Sequence, residues 1–309
     1  MAHKIQSTVC LSIAFVFLWN FGFIAAEQSL NYSGPFTLLF WRYWMLTFVL
    51  LGYLFIRGRM KWPGRSAAAL ASLVGILSHG VWLSCGLLSM AHGVPVGIVA
   101  LIVALQPMAT GALSGIATGE PIPINRWIGL AVGFSGIVIA VYPRIDPGDT
   151  AFVSAYLMPF GSVAAITIAS LIQRRLEIKN MTYRLPVDLA LFYQSLATAL
   201  GVTIPAIFIE NLATEWEPLF WVSMLWLVFG VSLAAYGLMW MLIARIDATR
   251  VASLFYLGPP ITMLLAWAVF GDRIHQMDLA GVIVVVIGVW LTQGGRFVKT
   301  MGERCGSKL

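Results

Sequence analysis

Two stretches of this chain repeat one pattern, QPMATGALSGIATGEPIPINRWIG at residues 106–129 and GPPITMLLAWAVFGDRIHQMDLAG at residues 258–281. In both, a proline lies in the middle of an apolar run, and a glycine followed by an acidic residue comes at the end of that run. Adding 152 to a position in the first half gives its counterpart in the second. Five pairs then coincide without a gap: Pro107 and Pro259, Gly119 and Gly271, Glu120 and Asp272, Gly129 and Gly281, and Gly136 and Gly288. The shared order indicates an internal duplication.

The composition around these stretches is that of a polytopic membrane protein. Of 309 residues, 60% are hydrophobic and 10% are charged, and the mean hydropathy is +0.87, well outside the range of soluble domains. A helix needs about 20 apolar residues to cross the hydrocarbon core, and ten such runs follow one another. They cover residues 7–25, 36–56, 67–90, 95–117, 127–143, 152–173, 186–208, 219–243, 250–270 and 277–294. These continuous runs predict an all-α membrane protein with ten transmembrane helices, because a membrane β-barrel shows short alternating segments.

The first run, which follows Lys4, has the outline of a cleaved signal peptide. It is long for a signal core and contains Trp19 and Asn20, which favour a retained and packed helix. The three cysteines, Cys10, Cys85 and Cys305, have no spacing typical of a metal site or a disulfide framework. We therefore expect no metal and no cofactor.

Ten spans divide the basic residues unevenly between the two sides of the membrane. One side would hold 16 of the 19: Lys4, Arg57, Arg59, Lys61, Arg65, Arg126, Arg174, Arg175, Lys179, Arg184, Arg245, Arg250, Arg296, Lys299, Arg304 and Lys308. The opposite loops keep only Arg144 and Arg273, and Arg42 lies within the second run. The positive-inside rule then predicts that both termini are cytoplasmic. The pI near 9.4 follows from this topology and from contact with anionic lipid, so no nucleic-acid partner is implied.

Each copy of the duplication would hold five helices, and because five is odd, the second copy is inverted in the bilayer relative to the first. We expect the first repeat at residues 1–145, the second at residues 151–294, and a basic cytoplasmic tail at residues 295–309. Secondary transporters use inverted repeats to alternate access to a site near the midplane.

These motifs, in this order, resemble those of the drug/metabolite transporter superfamily, specifically the ten-helix EamA-type carriers. The likeness covers residues 7–294 and rests on the two stretches quoted above. Asp272 stands where the family more usually has a glutamate, which keeps the charge but shortens the reach of the side chain. The resemblance implies a carrier of small molecules, most often an exporter of amino acids or other small metabolites and sometimes a drug carrier.

The stretch ILSHGVWLSCG at residues 76–86 carries a histidine close to the centre of the third span. Ser78, Trp82, Cys85 and Ser89 follow at spacings of four, three and four, so they share one helical face, with His79 at its edge. Polar residues at this depth turn toward a cavity or a neighbouring helix. Two interpretations of His79 remain open: a wall of the substrate cavity, or a hydrogen bond between helices. For the serines and Cys85 the second interpretation leads.

Other spans contribute further cavity candidates and two possible hinges. Pro107 and Pro259 each remove a backbone donor from the middle of a span, which favours either a simple kink or a hinge near the ligand. The other cavity candidates are Trp19, Asn20, Gln106, Tyr236 and Tyr256, and further polar positions are Thr167, Ser170, Tyr193, Gln194, Ser232 and Trp240. The repeated turns at Gly119, Glu120, Gly271 and Asp272 are expected to be structural.

Charged residues within the spans are few. Arg42 is a candidate to attract a substrate carboxylate, but an arginine near a helix end more often reaches the interface, and Glu27 is a possible partner for it. No acid lies near the midplane, which disfavours a multidrug-cation pump built on a membrane glutamate. If protons are coupled to transport, His79 is the best available switch, since a histidine titrates near neutral pH. Export down a gradient needs no such relay.

An integral-membrane enzyme is an alternative from another class. Its best candidate is GDRIHQMD at residues 271–278, with Asp272, His275 and Asp278 in or beside one loop. A catalytic site requires convergent groups from several elements, and the counterpart of His275 is Pro123, which can neither ligate a metal nor transfer a proton. We therefore expect no enzyme. A channel or scaffold would show rings of charge or a large soluble domain, and the sequence shows neither.

The sequence thus predicts a secondary transporter that exports amino acids or similar small metabolites by alternating access. An efflux carrier of drugs or cationic compounds is the alternative. We expect a multi-pass protein of a cell membrane, specifically a bacterial inner membrane, whose partners are a small-molecule substrate and the lipid bilayer. Proton coupling and the oligomeric state stay open.

Overall fold

The computed structural model describes residues 2–119, 121–144, 150–178, 185–246, 251 and 254–292. The first repeat holds α1 (Ala2–Leu30), α2 (Pro35–Ile56), α3 (Arg65–Ala91), α4 (Val96–Val103 and Gln106–Thr118) and α5 (Ile124–Val141). The second holds α6 (Thr150–Ile178), α7 (Val187–Phe208), α8 (Pro218–Leu225, Trp226–Ala235 and Tyr236–Ile246), α9 (Phe255–Phe270) and α10 (Gln276–Thr292). Eight of these are long and apolar enough to span a membrane, and α9 and α10 are shorter apolar helices. The ten predicted helices are therefore confirmed.

The duplication is visible in the bounds of the helices. Adding 152 to the ends of α2, Pro35–Ile56, gives the ends of α7, Val187–Phe208. The same shift carries the second part of α4, Gln106–Thr118, onto Gly258–Phe270 in α9. Both α3 and α8 contain a π-helical segment, and these segments also correspond: Ile76–Val81 shifted by 152 falls within Trp226–Ala235. π-Helical turns are rare and concentrate at functional sites.

The repeated glycines end corresponding helices in the same conformation. Gly119 and Gly271 both have φ = +74° and follow α4 and α9 directly. Residues with a side chain rarely adopt this left-handed conformation, so glycine is the residue that allows the helix to stop here. Asp272 comes next after Gly271, whereas its counterpart Glu120 lies outside the described residues.

The two prolines lie in the middle of their spans but not inside a continuous helix. Pro107 is the second residue of Gln106–Thr118, after a turn at residues 104–105, and Pro259 is the second residue of Gly258–Phe270, after a short 3-10 turn. The first N–H groups of a helix have no intrahelical partner, so proline loses nothing at this position. Neither proline therefore interrupts a continuous helix, because a helix begins next to each of them.

Glycines bring α5 and α10 into backbone contact. A Cβ atom on Gly136 would lie 2.7 Å from the carbonyl oxygen of Gly281, and one on Gly288 would lie 2.6 Å from that of Gly129. The contacts pair an early residue of α5 with a late residue of α10 and the reverse, so the two helices run antiparallel. Because Gly129 corresponds to Gly281 and Gly136 to Gly288, these contacts relate the halves by a two-fold operation. The predicted inversion of the second repeat is confirmed.

A second symmetric pair forms from α2 and α7, which pack along each other. The remaining helices connect the two pairs: α1 packs on α8 and α9, and α6 packs on α3 and α4. These six helices supply most of the walls of the two cavities described next.

Candidate functional site

A small cavity lies within the bundle, and we call it the deep cavity. Its volume is about 60 Å³, and its walls are mostly apolar. The polar and aromatic side chains that line it come from α1, α2, α3, α6 and α8: Trp19, Arg42, Tyr43, His79, Trp82, Ser162, Ser232 and Tyr236.

Arg42 brings the strongest charge to the deep cavity. Only 6% of this residue is exposed. Its Nη2 and Nε atoms donate to Ser232 Oγ, at 3.0 and 3.3 Å, and its guanidinium carbon lies 5.6 Å from the centre of the Tyr43 ring. The Ser232 hydroxyl in turn donates to the carbonyl of Leu227, at 3.0 Å. Arg42 is therefore held inside the protein and does not reach toward the interface.

No carboxylate neutralises Arg42 among the described residues. No ion pair of Arg42 is found there, so the possible pairing of Arg42 with Glu27 is not observed. A buried cation without a counter-charge is costly, and an ionisable group at this depth marks a functional site by default. The guanidinium also offers a planar fork that binds a carboxylate with two parallel hydrogen bonds.

His79 forms the neighbouring part of the wall. It is 5% exposed, and its Nε2 lies 3.3 Å from Gln194 Oε1, so a hydrogen on Nε2 donates to the amide oxygen. The imidazole centre lies 5.7 Å from that of Tyr43 and 6.0 Å from that of Tyr236. His79 thus lines the deep cavity and also bonds to another helix.

The contacts of Arg42 and His79 are related by the repeat. Gln194 is the counterpart of Arg42 under the shift of 152, and Ser232 is the counterpart of Gly80, next to His79. In each half, a long polar side chain at the same position of α2 or α7 reaches the π-helical segment of the other half. The symmetry is broken chemically, because one contact carries a permanent positive charge and the other pairs an amide with an imidazole.

A second and larger cavity, which we call the vestibule, lies beside the first. Its volume is about 1270 Å³, and it extends from the middle of the bundle to the turn between α4 and α5 at residues 121–123. Trp19, Trp82 and Tyr236 line both cavities and form an aromatic partition between them. Trp19 stacks on Trp82 with ring centres 6.4 Å apart, and its centre lies 5.6 Å from that of Tyr236.

The vestibule also carries positive charge. Arg126 and Arg174 lie in its wall, and Arg126 Nη1 donates to the carbonyl of Gly111 at 3.1 Å and to Ser114 Oγ at 3.0 Å. Within the described part of the chain, no aspartate or glutamate lines either cavity. The charged side chains that the structure places along the route from the vestibule to Arg42 are therefore all positive, which favours anions.

The other cavity candidates fall into two groups. Asn20, Gln106 and Tyr256 line the vestibule, together with Pro107 and Pro259. Ser78 and Ser89 line neither cavity. The Ser78 hydroxyl donates to Val74 O within α3 at 2.7 Å, and that of Ser89 donates to Ala155 O of α6 at 2.8 Å.

Sequence reasoning missed several polar residues of the cavity walls, among them Tyr43, Ser162, Arg126 and Arg174. Arg42 was a candidate to attract a carboxylate, and the structure places it in the wall of the deep cavity. The overlooked signal was the repeat itself: the shift from Arg42 to Gln194 singles out the residue that positions His79. The side chain of Trp240 lies outside the described residues.

At the end of the bundle opposite residues 121–123, hydrogen bonds link the two halves. Here the α1–α2 and α7–α8 connections join, and we call residues 31–37 and 210–217 the sealed end. The Glu210 carboxylate accepts hydrogen bonds from the N–H groups of Phe36, at 3.1 Å, and Thr37, at 2.6 Å, in the first turn of α2. The indole N–H of Trp41 donates to Thr214 Oγ1 at 3.0 Å. These contacts cross between the two repeats.

The loop considered for an enzyme has a local structural role. The Asp278 carboxylate is 3% exposed and accepts a hydrogen bond from the backbone N–H of His275 at 2.9 Å, at the start of α10. Across the described residues, no group of three histidine, cysteine or acidic side chains is placed to hold a metal ion.

Known proteins match the chain over almost its full length. The model of the EamA-like transporter family matches residues 6–142 and again residues 152–293. A probable amino-acid metabolite efflux pump of Salmonella typhimurium is 21% identical over 96% of this chain and 98% of its own. An S-adenosylmethionine uptake transporter of Rickettsia bellii is 26% identical over 81% of each chain. One solved structure, titled only as the crystal structure of a protein, shares the fold with a TM-score of 0.62 at 19% identity, over 93% of this chain and 96% of its own.

Proposed function

We propose that this chain, which belongs to the EamA-like transporter family, exports small amphipathic metabolites that carry a carboxylate, amino acids among them. It is a multi-pass membrane transporter of small molecules. The proposal assigns substrate binding to the deep cavity and access to the vestibule.

One observation carries the proposal: the buried Arg42 guanidinium lines the deep cavity and has no carboxylate partner among the described residues. A substrate carboxylate would supply the missing charge and would replace Ser232 as its hydrogen-bond partner. The apolar walls and the aromatic partition suit the apolar remainder of such a molecule. The name of the Salmonella typhimurium relative, a probable amino-acid metabolite efflux pump, agrees with this class of substrate.

The same charges disfavour the alternative of a cation carrier. A cationic drug would meet Arg126 and Arg174 in the vestibule and Arg42 beyond the partition, with no acidic side chain in the described walls to offset them. Each step along this route would be repulsive in a medium of low dielectric constant.

The basic loops also orient the two cavities relative to the membrane. We assign both termini to the cytoplasm because of the basic loops, with the repeats at residues 1–145 and 151–294. The vestibule then opens to the cytoplasm and the sealed end faces outward. This arrangement corresponds to the state in which an exporter loads its substrate. If protons drive the cycle, His79 carries them.

The test is flux in proteoliposomes that hold the purified protein. Labelled leucine, labelled phenylalanine and a cationic dye are compared, with and without a pH gradient, for the native chain and Arg42→Gln. We expect flux of the carboxylate substrates and its loss in Arg42→Gln. Arg57→Gln is the matched control, since Arg57 is an exposed arginine at the end of the same helix. Dye flux without carboxylate flux would contradict the proposal.

A further inference from the structure

The charges around the deep cavity narrow the class of substrate further. An amino acid brings an ammonium group together with its carboxylate, and each group needs partners once water is removed. Arg42 would bind the carboxylate. In the walls that the structure describes, no aspartate or glutamate is present to pair with the ammonium group.

The serine hydroxyls of the cavity already have partners, and the hydroxyls of Tyr43 and Tyr236 are neutral acceptors, so none of them replaces a carboxylate. An ammonium group has three hydrogens to donate. Ser232 Oγ already accepts from Arg42 and donates to Leu227, and the Ser162 hydroxyl donates to the carbonyl of Trp82 at 2.6 Å. Ser232 Oγ can accept from an ammonium group only after Arg42 has left it to bind the substrate carboxylate. In an amino acid the ammonium group is close to that carboxylate, so it would then lie near the positively charged guanidinium. The ammonium group would therefore exchange its hydration for neutral acceptors beside a positively charged guanidinium.

The aromatic partition does not offer a cage for a cation either. The Trp19 ring is already covered, since it stacks on Trp82, and Phe255 approaches it edge-on with ring centres 5.0 Å apart. A cation needs an open aromatic face. The guanidinium also lies over the Tyr43 ring, 5.6 Å from its centre. These rings suit an apolar body better than an ammonium group.

We infer that the deep cavity selects amphipathic monoanions, in which a carboxylate is joined to an apolar body with no ammonium beside it, over zwitterionic amino acids. This inference rests on the proposed function, since it assigns a narrower class of substrate to the same site. The place of such a molecule in metabolism follows from its chemistry: a deamination, transamination or N-acylation of an amino acid supplies it.

Three ligands that share one phenyl body test the inference. 3-Phenylpropanoate has the carboxylate alone, phenylalanine has both charged groups, and phenethylamine has the ammonium alone. Binding to the purified protein is measured by isothermal titration calorimetry, which avoids the passive permeation of weak acids through liposomes. The native chain is compared with Arg42→Gln and with the control Arg57→Gln.

We expect 3-phenylpropanoate to bind at least tenfold more tightly than phenylalanine, and phenethylamine to show no binding. Both acids should lose affinity in Arg42→Gln but not in Arg57→Gln. Equal or tighter binding of phenylalanine would overturn the selection of monoanions, while the proposed function would stand as long as that binding depends on Arg42. If neither acid binds, or if Arg42→Gln binds the acids as tightly as the native chain does, the proposed function itself fails. The ligand series on the native chain decides the inference even if Arg42→Gln does not fold.

Discussion

Glu210 holds the sealed end closed, and its replacement by glutamine should open that end. The carboxylate accepts the N–H groups of Phe36 and Thr37, two of the donors that the first turn of a helix leaves unpaired. Glutamine keeps one acceptor oxygen but turns an NH₂ group toward the second N–H. It also removes the negative charge that the N-terminus of α2 favours.

The size of the effect follows from these two contacts. A hydrogen bond to a charged group contributes about 1.5–3 kcal/mol and a neutral one about 0.5–1.5 kcal/mol. A charge at a helix N-terminus adds about 0.3–1 kcal/mol. Because Glu210 is partly exposed, we take the lower part of the combined range, about 2 kcal/mol. At about 1.4 kcal/mol per factor of ten, the population with an open sealed end should rise roughly 30-fold.

Thiol labelling measures this population. Ala26 lines the deep cavity, and Ala26→Cys is introduced into a chain whose native cysteines, Cys10, Cys85 and Cys305, are replaced. A membrane-impermeant thiol reagent is applied from the outside, so labelling reports how often the sealed end opens. The rate should rise roughly 30-fold in Glu210→Gln, in proportion to the open population.

Glu217→Gln is the matched control for the labelling experiment. It removes the same charge from the same connection, at an exposed residue that precedes α8 and makes no side-chain hydrogen bond to that helix. The labelling rate should not change in this variant. An unchanged rate in Glu210→Gln, or an equal rise in both variants, would refute the role of Glu210.

Three further variants test the packing and the site. Gly288→Ala would place a methyl carbon 2.6 Å from the carbonyl oxygen of Gly129, so we expect a loss of roughly 1–3 kcal/mol as a lower melting temperature. Gly237→Ala, where the methyl group meets no atom within 4 Å, should not lose stability in this way, and equal losses would contradict the packing argument. Arg42→Lys keeps the charge but loses the planar fork, so calorimetry should show roughly 10- to 100-fold weaker carboxylate binding; unchanged affinity would exclude two-point recognition. His79→Phe should block flux while the yield of folded protein persists. Normal flux in this variant would show that His79 does not contribute to the substrate site.

The sequence was sufficient to predict the helices, because membrane insertion depends on the length and polarity of continuous runs. Even the inversion of the repeat followed from counting an odd number of spans, and α5 and α10 confirm it through the contact of Gly136 with Gly281. The π-helical segments and the helix restarts at Pro107 and Pro259 were not predictable in this way. They depend on packing against other helices, which cannot be read from the hydropathy of a single segment.

The candidate site was only partly predictable for the same reason. A position such as His79 is conspicuous because a titratable group is expensive in a membrane. Its bond to Gln194 joins residues 115 positions apart, and that of Arg42 to Ser232 joins residues 190 apart, so periodicity within one helix cannot reveal either. Ser89 is the simpler case, since a hydrogen bond between helices was the leading interpretation for it and its hydroxyl donates to Ala155 O of α6.

The two ends of the α2–α7 pair indicate which state the empty carrier prefers. Two identical inverted repeats would make the states open to either side equal in free energy, so any preference arises where the repeats differ. At the sealed end, the Glu210 carboxylate accepts a hydrogen bond from the N–H of Phe36. The counterpart of Phe36 at the other end is Asp188, which forms an ion pair with Arg59 at 2.9 Å. The Arg59 side chain is 50% exposed, and such pairs contribute only about 0–1 kcal/mol, less than the charged hydrogen bonds of Glu210. The empty carrier should therefore rest with its sealed end closed and its vestibule open, and bound substrate must supply the free energy that opens the sealed end.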